Sequence, residues 1–196
     1  MLWLGFFIYL GIQYLPTYID FRLIKEELLI NGDSVNSNVN KKLSHWDEAI
    51  NLNDQGLAIQ KTDPKLAEGL YKQAIEKDPT FYYAYNNLGI LFSDNGRQQE
   101  AFDMYERAIQ IKPDYAKAYN NLGVWYYDSG NRKKAMEKYE MAITFSQKDP
   151  NPYGNTALIL DLEENNTKLA IPYYKKAIEF GSKNPTVIAR ARELGL

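Results

Sequence analysis

The sequence contains no cysteine and a single histidine, His45, so the chemistries that depend on these side chains are excluded. Disulfides, thiolate nucleophiles and Cys- or His-rich metal sites all need residues that are missing, and a lone histidine beside Trp46 is a packing or surface residue. A phosphate-binding glycine loop, a nucleophile elbow and a His-Glu zinc helix are absent as well. These absences predict a protein that is not an enzyme and that holds no metal or cofactor.

An excess of positive charge is also missing. The 196 residues include 23 basic and 25 acidic side chains, which are interspersed and give a formal net charge of -2. Nucleic-acid binding depends on a concentrated positive field, so a nucleic-acid partner is not expected. The hydrophobic content of 45% and the charged content of 24% are typical of a folded domain.

The sequence repeats itself with a shift of 34 residues. The segment Tyr-Asn-Asn-Leu-Gly at 85–89 recurs at 119–123, and in weaker form as Tyr-Gly-Asn-Thr-Ala at 153–157. Columns of small and aromatic residues keep the same shift: Ala67, Ala101 and Ala135; Tyr71, Tyr105 and Tyr139; Ala74, Ala108 and Ala142. Small residues let two helices approach closely while tyrosine and leucine fill the space around them, so each unit is predicted to be a pair of antiparallel helices.

Turn residues agree with this period, because Gly96 and Gly130 end the first helix of a unit and Pro79 and Pro113 follow the second. The predicted helices are 42–61, 65–77, 81–94, 98–111, 115–129, 132–145, 151–164 and 168–180, followed by a short capping helix at 185–196.

The pattern resembles the tetratricopeptide repeat family. The family signature of Leu-Gly, an aromatic, Ala, an aromatic, Ala and Pro is met by Leu88, Gly89, Phe92, Ala101, Tyr105, Ala108 and Pro113. The next copy has Leu122, Gly123, Tyr126, Ala135, Tyr139 and Ala142, with Gln147 in the proline column. The resemblance implies an all-α fold, a right-handed superhelix (solenoid) of antiparallel helical hairpins. It places four repeats at 41–184 and the cap at 185–196.

The two outer repeats depart from the pattern, as terminal units of stacked arrays often do. Gly56 lies one residue closer to Ala67 than the spacing elsewhere, and the last repeat fits only if the loop around 164–166 holds one extra residue. Pro172 is expected to shorten or kink the start of the last repeat's second helix.

Residues 1–19 contain no charged side chain, unlike the rest of the chain. About 19 helical residues reach roughly 28 Å, which is marginally enough to cross a membrane. A membrane anchor is favoured; a helix packed on the array or on a partner, and a cleaved signal peptide, remain alternatives. Residues 1–30 form a predicted N-terminal hydrophobic helix with an amphipathic continuation, and 31–40 a flexible linker.

The basic residues nearest this segment all follow it, so a membrane-spanning segment would leave the repeats facing the cytoplasm. These residues are Arg22, Lys25, Lys41 and Lys42. Without a span, the expected location is also cytoplasmic.

The resemblance further implies a protein-protein interaction scaffold or assembly factor that binds an extended peptide in a concave groove lined by the first helices. The alternative is a structural subunit of a larger complex, docked through its N-terminal hydrophobic helix. Asn87, Asn121 and Asn155 are predicted to form a row in this groove, where amides can donate to and accept from a peptide backbone. The row looks like the asparagine ladder of the O-linked N-acetylglucosamine transferases. Helix packing or capping is the alternative role.

The other groove candidates suggest an apolar or mildly basic partner segment. They are Tyr83, Ile90, Lys117, Val124, Tyr127, Leu158, Asp94, Asp128 and Asp161. Packing between repeats is the alternative role for the aromatic residues.

Co-chaperone members of the family capture a terminal carboxylate through Lys and Asn in the first unit, Asn in the second, and Lys and Arg in the third. Asn87 and Lys117 match two of these positions. Asn53, Leu57 and Asn121 occupy the others, so strong carboxylate capture is not expected.

Overall fold

The computed structural model describes residues 37–196, with the side chains of 37–40 and 42 left out. These residues form α-helices joined by short turns, with no strand among them. The helices are α1 (Ser37–Ile59), α2 (Pro64–Lys77), α3 (Tyr82–Asp94), α4 (Gln98–Ile111), α5 (Ala116–Asp128), α6 (Arg132–Phe145), α7 (Pro150–Leu158), α8 (Thr167–Glu179) and α9 (Pro185–Glu193). A π-helical turn, Ile159–Glu163, extends α7.

Successive helices pack as hairpins, α1 with α2, α3 with α4, α5 with α6, and α7 with α8. Each hairpin stacks on the next, and α9 packs on α7 and α8. The predicted all-α solenoid of helical hairpins is confirmed.

A glycine and a tyrosine form the close crossing inside each of the first three hairpins. A Cβ atom on Gly56 would lie 2.7 Å from Tyr71 Cε1, and one on Gly89 would lie 2.6 Å from Tyr105 Cε1. Gly123 meets Tyr139 in the same way. Because each of these tyrosines is buried, the ring fills the space that the missing side chain leaves.

The turns follow the sequence chemistry. Gly96 and Gly130 end the first helices of their hairpins with φ of 75° and 78°, the left-handed region that glycine tolerates best. The second helices α2, α6 and α8 begin at side-chain caps. Asp63 accepts a hydrogen bond from the Leu66 amide at 3.0 Å, and Asn131 accepts one from Lys134 at 3.1 Å.

The last repeat contains the one extra residue that its sequence spacing predicted. This residue lies between Leu160 and Asn166. The Asn166 amide donates to the Leu160 carbonyl across six residues, whereas the matching bond from Arg97 to Phe92 spans five. The π-helical turn absorbs the added residue, and Asn165, with φ of 52°, takes the place of the turn glycine.

Three expectations are corrected or lie outside the described residues. The predicted linker at 31–40 is too long, because α1 already begins at Ser37. Pro172 does not shorten its helix, since α8 begins at Thr167 and continues through it. The predicted anchor at 1–19 lies outside the described part of the chain. Within residues 37–196, no helix combines the length and apolarity that crossing a bilayer requires.

Candidate functional site

The first helices of the hairpins, α1, α3, α5 and α7, form a continuous surface because each contacts the next first helix in the stack. On each of them, residues at spacings of four, three and four lie along one stripe beside the glycine or alanine that faces the second helix. The stripes are Ile50, Asp54, Leu57 and Lys61; Tyr83, Asn87, Ile90 and Asp94; Lys117, Asn121, Val124 and Asp128; and Asn151, Asn155, Leu158 and Leu162. We call this set the groove surface. It brings together ten of the predicted candidates, all except Tyr127 and Asp161.

The predicted asparagine row is joined from repeat to repeat by hydrogen bonds between amides. Asn87 Nδ2 donates to Asn53 Oδ1 at 2.8 Å, Asn121 Nδ2 to Asn86 Oδ1 at 2.9 Å, and Asn155 Nδ2 to Asn120 Oδ1 at 3.1 Å. We call these three bonds the amide ladder.

In each ladder bond, the donor is the asparagine that lies two residues before the glycine or alanine column of its own repeat. The acceptor is the asparagine that lies three residues before that column in the preceding repeat. The bonds span 35 residues, except for the first, which spans 34. The shorter span agrees with the position of Gly56, which lies one residue closer to Ala67 than the spacing in the other repeats. Sequence reasoning therefore missed the pairing role of Asn53, Asn86 and Asn120, although the Asn-Asn pair that recurs at 86–87 and 120–121 was a visible signal.

The ladder leaves part of each donor amide for a ligand. A primary amide carries two N–H groups and an oxygen with two lone pairs, and the ladder takes one N–H of Asn121 and of Asn155. The Oδ1 atoms of these two residues have no hydrogen-bond partner among residues 37–196. Packing between repeats and backbone binding are therefore compatible roles for this row.

An apolar column runs beside the amide row. Leu57 is 42% exposed and Val124 is 37% exposed, while Ile90 and Leu158 are partly buried. These four residues occupy the same position in successive repeats, one residue after the glycine or alanine column. Exposed aliphatic side chains that line up on one surface are a feature of interaction sites.

The charged groove residues are left without ion pairs. Asp94, Lys117 and Asp128 are exposed, and none of them has a salt-bridge partner in the part of the chain that the structure describes. Arg97, by contrast, is paired with Glu68 at 2.7 Å. The unpaired carboxylates at two repeats give the middle of the groove a negative edge.

The aromatic candidates divide by their contacts. Tyr83 is partly buried, and its ring lies 4.2 Å from that of Tyr82 and 5.6 Å from that of Tyr115, which supports a packing role. Tyr127 is 37% exposed and lies one residue outside the stripe. Its hydroxyl donates to Glu163 at 2.7 Å, and this bond to a carboxylate raises the pKa of the Tyr127 phenol.

Asp161 is not a groove residue, contrary to expectation, because it is only 4% exposed. Its carboxylate accepts hydrogen bonds from Arg190 Nε at 2.6 Å, Thr167 Oγ1 at 2.5 Å and Tyr174 at 3.2 Å. The Arg190 hydrogen bond is the main cause of its lowered pKa. Asp161 therefore joins the π-helical turn to α8 and α9 and holds the cap on the array.

A second concavity lies between α2, α3 and α4. It has a volume of about 330 Å³, an apolar lining that includes Ile75, Leu88 and Met104, and a charged rim. Lys72 and Glu100 on the rim are already paired, with Glu68 and Arg97. No cluster of three or more potential metal ligands occurs in residues 37–196.

The comparisons agree with this architecture. Models of the tetratricopeptide repeat match residues 70–103, 91–130 and 116–148. Residues 70–148 therefore contain tetratricopeptide repeats, and such repeats are typically interaction modules without catalytic activity. No curated protein matches the sequence significantly.

Several solved structures are similar. The crystal structure of MamA is 26% identical with a TM-score of 0.58, covering 83% of this chain and 87% of that one. PilF of Pseudomonas aeruginosa is 22% identical with a TM-score of 0.63, covering 74% of this chain and 71% of that one. The second repeat domain of Spaghetti (RPAP3), bound to an HSP90 peptide, is 20% identical over 50% of this chain and 93% of that one, with a TM-score of 0.48. The likeness to PilF concerns the fold alone.

Proposed function

We propose that this chain is a protein-interaction scaffold or assembly factor that binds an extended segment of a partner protein in its groove. The observation that carries the proposal is the alignment of stripes from four first helices, which places polar, apolar and unpaired charged side chains in parallel columns. An extended backbone can follow such columns from repeat to repeat, with its amides on the asparagine row and its side chains on the neighbouring columns.

Site-specific photo-crosslinking tests which face of the array, the groove or the outer face, binds the partner protein. A photoreactive amino acid replaces Lys117, which is exposed on α5 in the groove, or Lys133, which is exposed on the second helix α6. We expect the Lys117 position to crosslink a partner protein in cells and the Lys133 position to give none. Crosslinks from Lys133 alone would place the interface on the outer face instead.

Asn121 is proposed as the centre of the site, since repeats on both sides shield it from water. Truncation of an amide that contacts a partner costs about 1 to 3 kcal/mol, so Asn121→Ala should weaken binding by about one to two orders of magnitude. The same change breaks the ladder bond to Asn86, which requires a matched control.

Asn86→Ala provides that control. Asn86 is 2% exposed, so its truncation breaks the same ladder bond while leaving Asn121 in the groove. Binding affinity and urea denaturation are measured for both variants. A larger loss of affinity in Asn121→Ala than in Asn86→Ala supports direct contact, whereas equal losses mean that the ladder acts only by joining the repeats.

Membrane tethering through residues 1–19 completes the proposal, supported by their lack of charged side chains. Because α1 begins at Ser37, the comparison chain should start at residue 31 and keep the helix intact. We expect the full chain to remain in membranes after carbonate extraction and the shorter chain to be released. Extraction of the full chain from the pellet would favour docking on a larger complex, and a full chain that never sediments with membranes would exclude both arrangements.

The repeats are proposed to face the cytoplasm, because the basic residues nearest the apolar segment follow it. Protease added outside intact cells should leave the repeats uncut. Their digestion there would contradict this orientation.

A further inference from the structure

The spacing and charge of the groove columns restrict the kind of segment that can bind. We propose that the groove takes an extended, polyproline II-type segment of a partner protein with an apolar residue at every third position and lysine or arginine between them. This inference rests on the proposed function and names the chemistry of its partner.

The apolar column sets the spacing. Leu57, Ile90, Val124 and Leu158 lie on successive first helices that contact one another, and contacting helices lie about 8–10 Å apart. A polyproline II segment rises about 3.1 Å per residue with three residues per turn, so every third side chain returns to the same side after about 9.3 Å. A β-strand repeats its facing side chains after about 6.6 Å, which fits the column less well.

The amide row favours the same backbone. A polyproline II segment makes no internal hydrogen bonds, so its N–H and C=O groups are free to meet side-chain amides. The row beside the apolar column offers the Oδ1 atoms of Asn121 and Asn155 as acceptors, together with the second N–H of each amide. The ladder bonds hold these amides in place before a ligand arrives.

The charge column sets the residues between the apolar ones. Asp94 and Asp128 are exposed and without an ion pair among residues 37–196, and they lie four residues beyond the apolar column on the two central first helices. Lys117 is the single cation on those two stripes. A basic segment therefore complements the centre of the groove, whereas the chain's own residues 1–19, which contain no lysine or arginine, do not supply such a match.

Four fluorescent peptides test this chemistry by anisotropy with the full chain in detergent. The reference peptide repeats Leu-Lys-Pro, which combines the third-residue spacing with positive charge. One variant peptide repeats Leu-Glu-Pro, one repeats Ser-Lys-Pro, and one of equal length alternates Leu and Lys. We expect the reference peptide to bind at least about 10-fold more tightly than each of the other three.

Paired protein variants locate the binding. Val124→Ser should weaken the reference peptide about 10-fold, whereas Met141→Ser, at a similarly exposed position on α6, should leave its affinity unchanged. The double variant Asp94→Asn and Asp128→Asn should reduce the difference in affinity between the Leu-Lys-Pro and Leu-Glu-Pro peptides. The control Asp103→Asn, on α4, should leave that difference in affinity unchanged. Circular dichroism confirms that each variant is folded.

The outcomes separate the inference from the proposed function. Equal affinities for Leu-Lys-Pro and Leu-Glu-Pro, both lost in Val124→Ser, would overturn the charge preference and leave groove binding intact. Tighter binding of the alternating peptide would overturn the spacing. Binding that is insensitive to Val124→Ser but lost in Met141→Ser would move the interface to the outer face and overturn both, and no binding of any peptide would overturn the inference.

Discussion

Gly69 and Gly89 both lie inside helices, but a methyl group added at each would have different surroundings. Comparing the two alanine variants therefore separates the effect of helix propensity on stability from the effect of packing. At Gly69 in α2, an added Cβ meets no atom within 4 Å. At Gly89 in α3, an added Cβ would lie 2.6 Å from Tyr105 Cε1 and 3.2 Å from the Ala101 carbonyl oxygen. Alanine is favoured over glycine inside a helix by about 1 kcal/mol, so Gly69→Ala should raise the free energy of unfolding by about that amount.

At Gly89 the same gain is opposed by overpacking, which costs about 1 to 3 kcal/mol. Tyr105 is only 4% exposed, so its ring cannot turn away into solvent. Gly89→Ala should therefore lie between no change and a loss of about 2 kcal/mol, and the two variants should differ by about 1 to 3 kcal/mol.

Urea denaturation followed by circular dichroism measures this difference, with the midpoint and the slope compared for both variants. The wild-type chain is the reference, and both substitutions add the same methyl group to the same secondary structure. Equal shifts of the two midpoints would mean that Gly89 does not lie at a close helix crossing, and the glycine and tyrosine pairing of the repeats would be wrong.

The remaining predictions concern single sites. Gly123→Leu should lower the free energy of unfolding by about 1 to 3 kcal/mol or more through overpacking against Tyr139, and an unchanged urea midpoint would contradict the repeat register. Thr156→Val should raise the free energy of unfolding by about 1 kcal/mol, because the buried Thr156 hydroxyl has no hydrogen-bond partner among the described residues. A lower urea midpoint would show that the hydroxyl does have a hydrogen-bond partner. The pKa of Asp161 is lowered in the folded state, so its contribution is present above the unfolded pKa of about 3.9 and is lost as pH falls through the folded value. Asp161→Asn should reduce the loss of stability between neutral and acidic pH, and an unchanged pH profile would refute this role.

The helix bounds were predictable because two independent features of the sequence, the turn residues and the repeating columns, agree for most helices. The predicted helices 98–111 and 132–145 match Gln98–Ile111 and Arg132–Phe145, since the turn glycines and the alanine columns fix both sides. The start of α1 was placed too late, at 42, because its first turn has the polar composition of a linker. The π-helical turn has no composition of its own, so sequence spacing located the extra residue without giving its conformation.

The groove surface was predictable for the same reason, because a stripe along a helix follows from residue spacing alone. Contacts between repeats did not follow, since they depend on how far one hairpin is displaced relative to the next. Asn121 pairs with Asn86 rather than with Asn87, a shift of one position that only the packed structure defines. The burial of Asp161 likewise depends on α9, whose Arg190 reaches it from 29 residues away.

We propose that the amide ladder links the stability of the array to the occupation of its groove. Each ladder bond contributes about 0.5 to 1.5 kcal/mol, and the donor amides of Asn121 and Asn155 keep a second N–H and an oxygen for the proposed ligand. A segment that contacts Asn121 and Asn155 together can do so only when the repeats hold the relative position that forms the ladder. Binding and stacking therefore favour the same arrangement, and by linkage a ligand that requires this arrangement stabilises the contacts between the repeats as it binds.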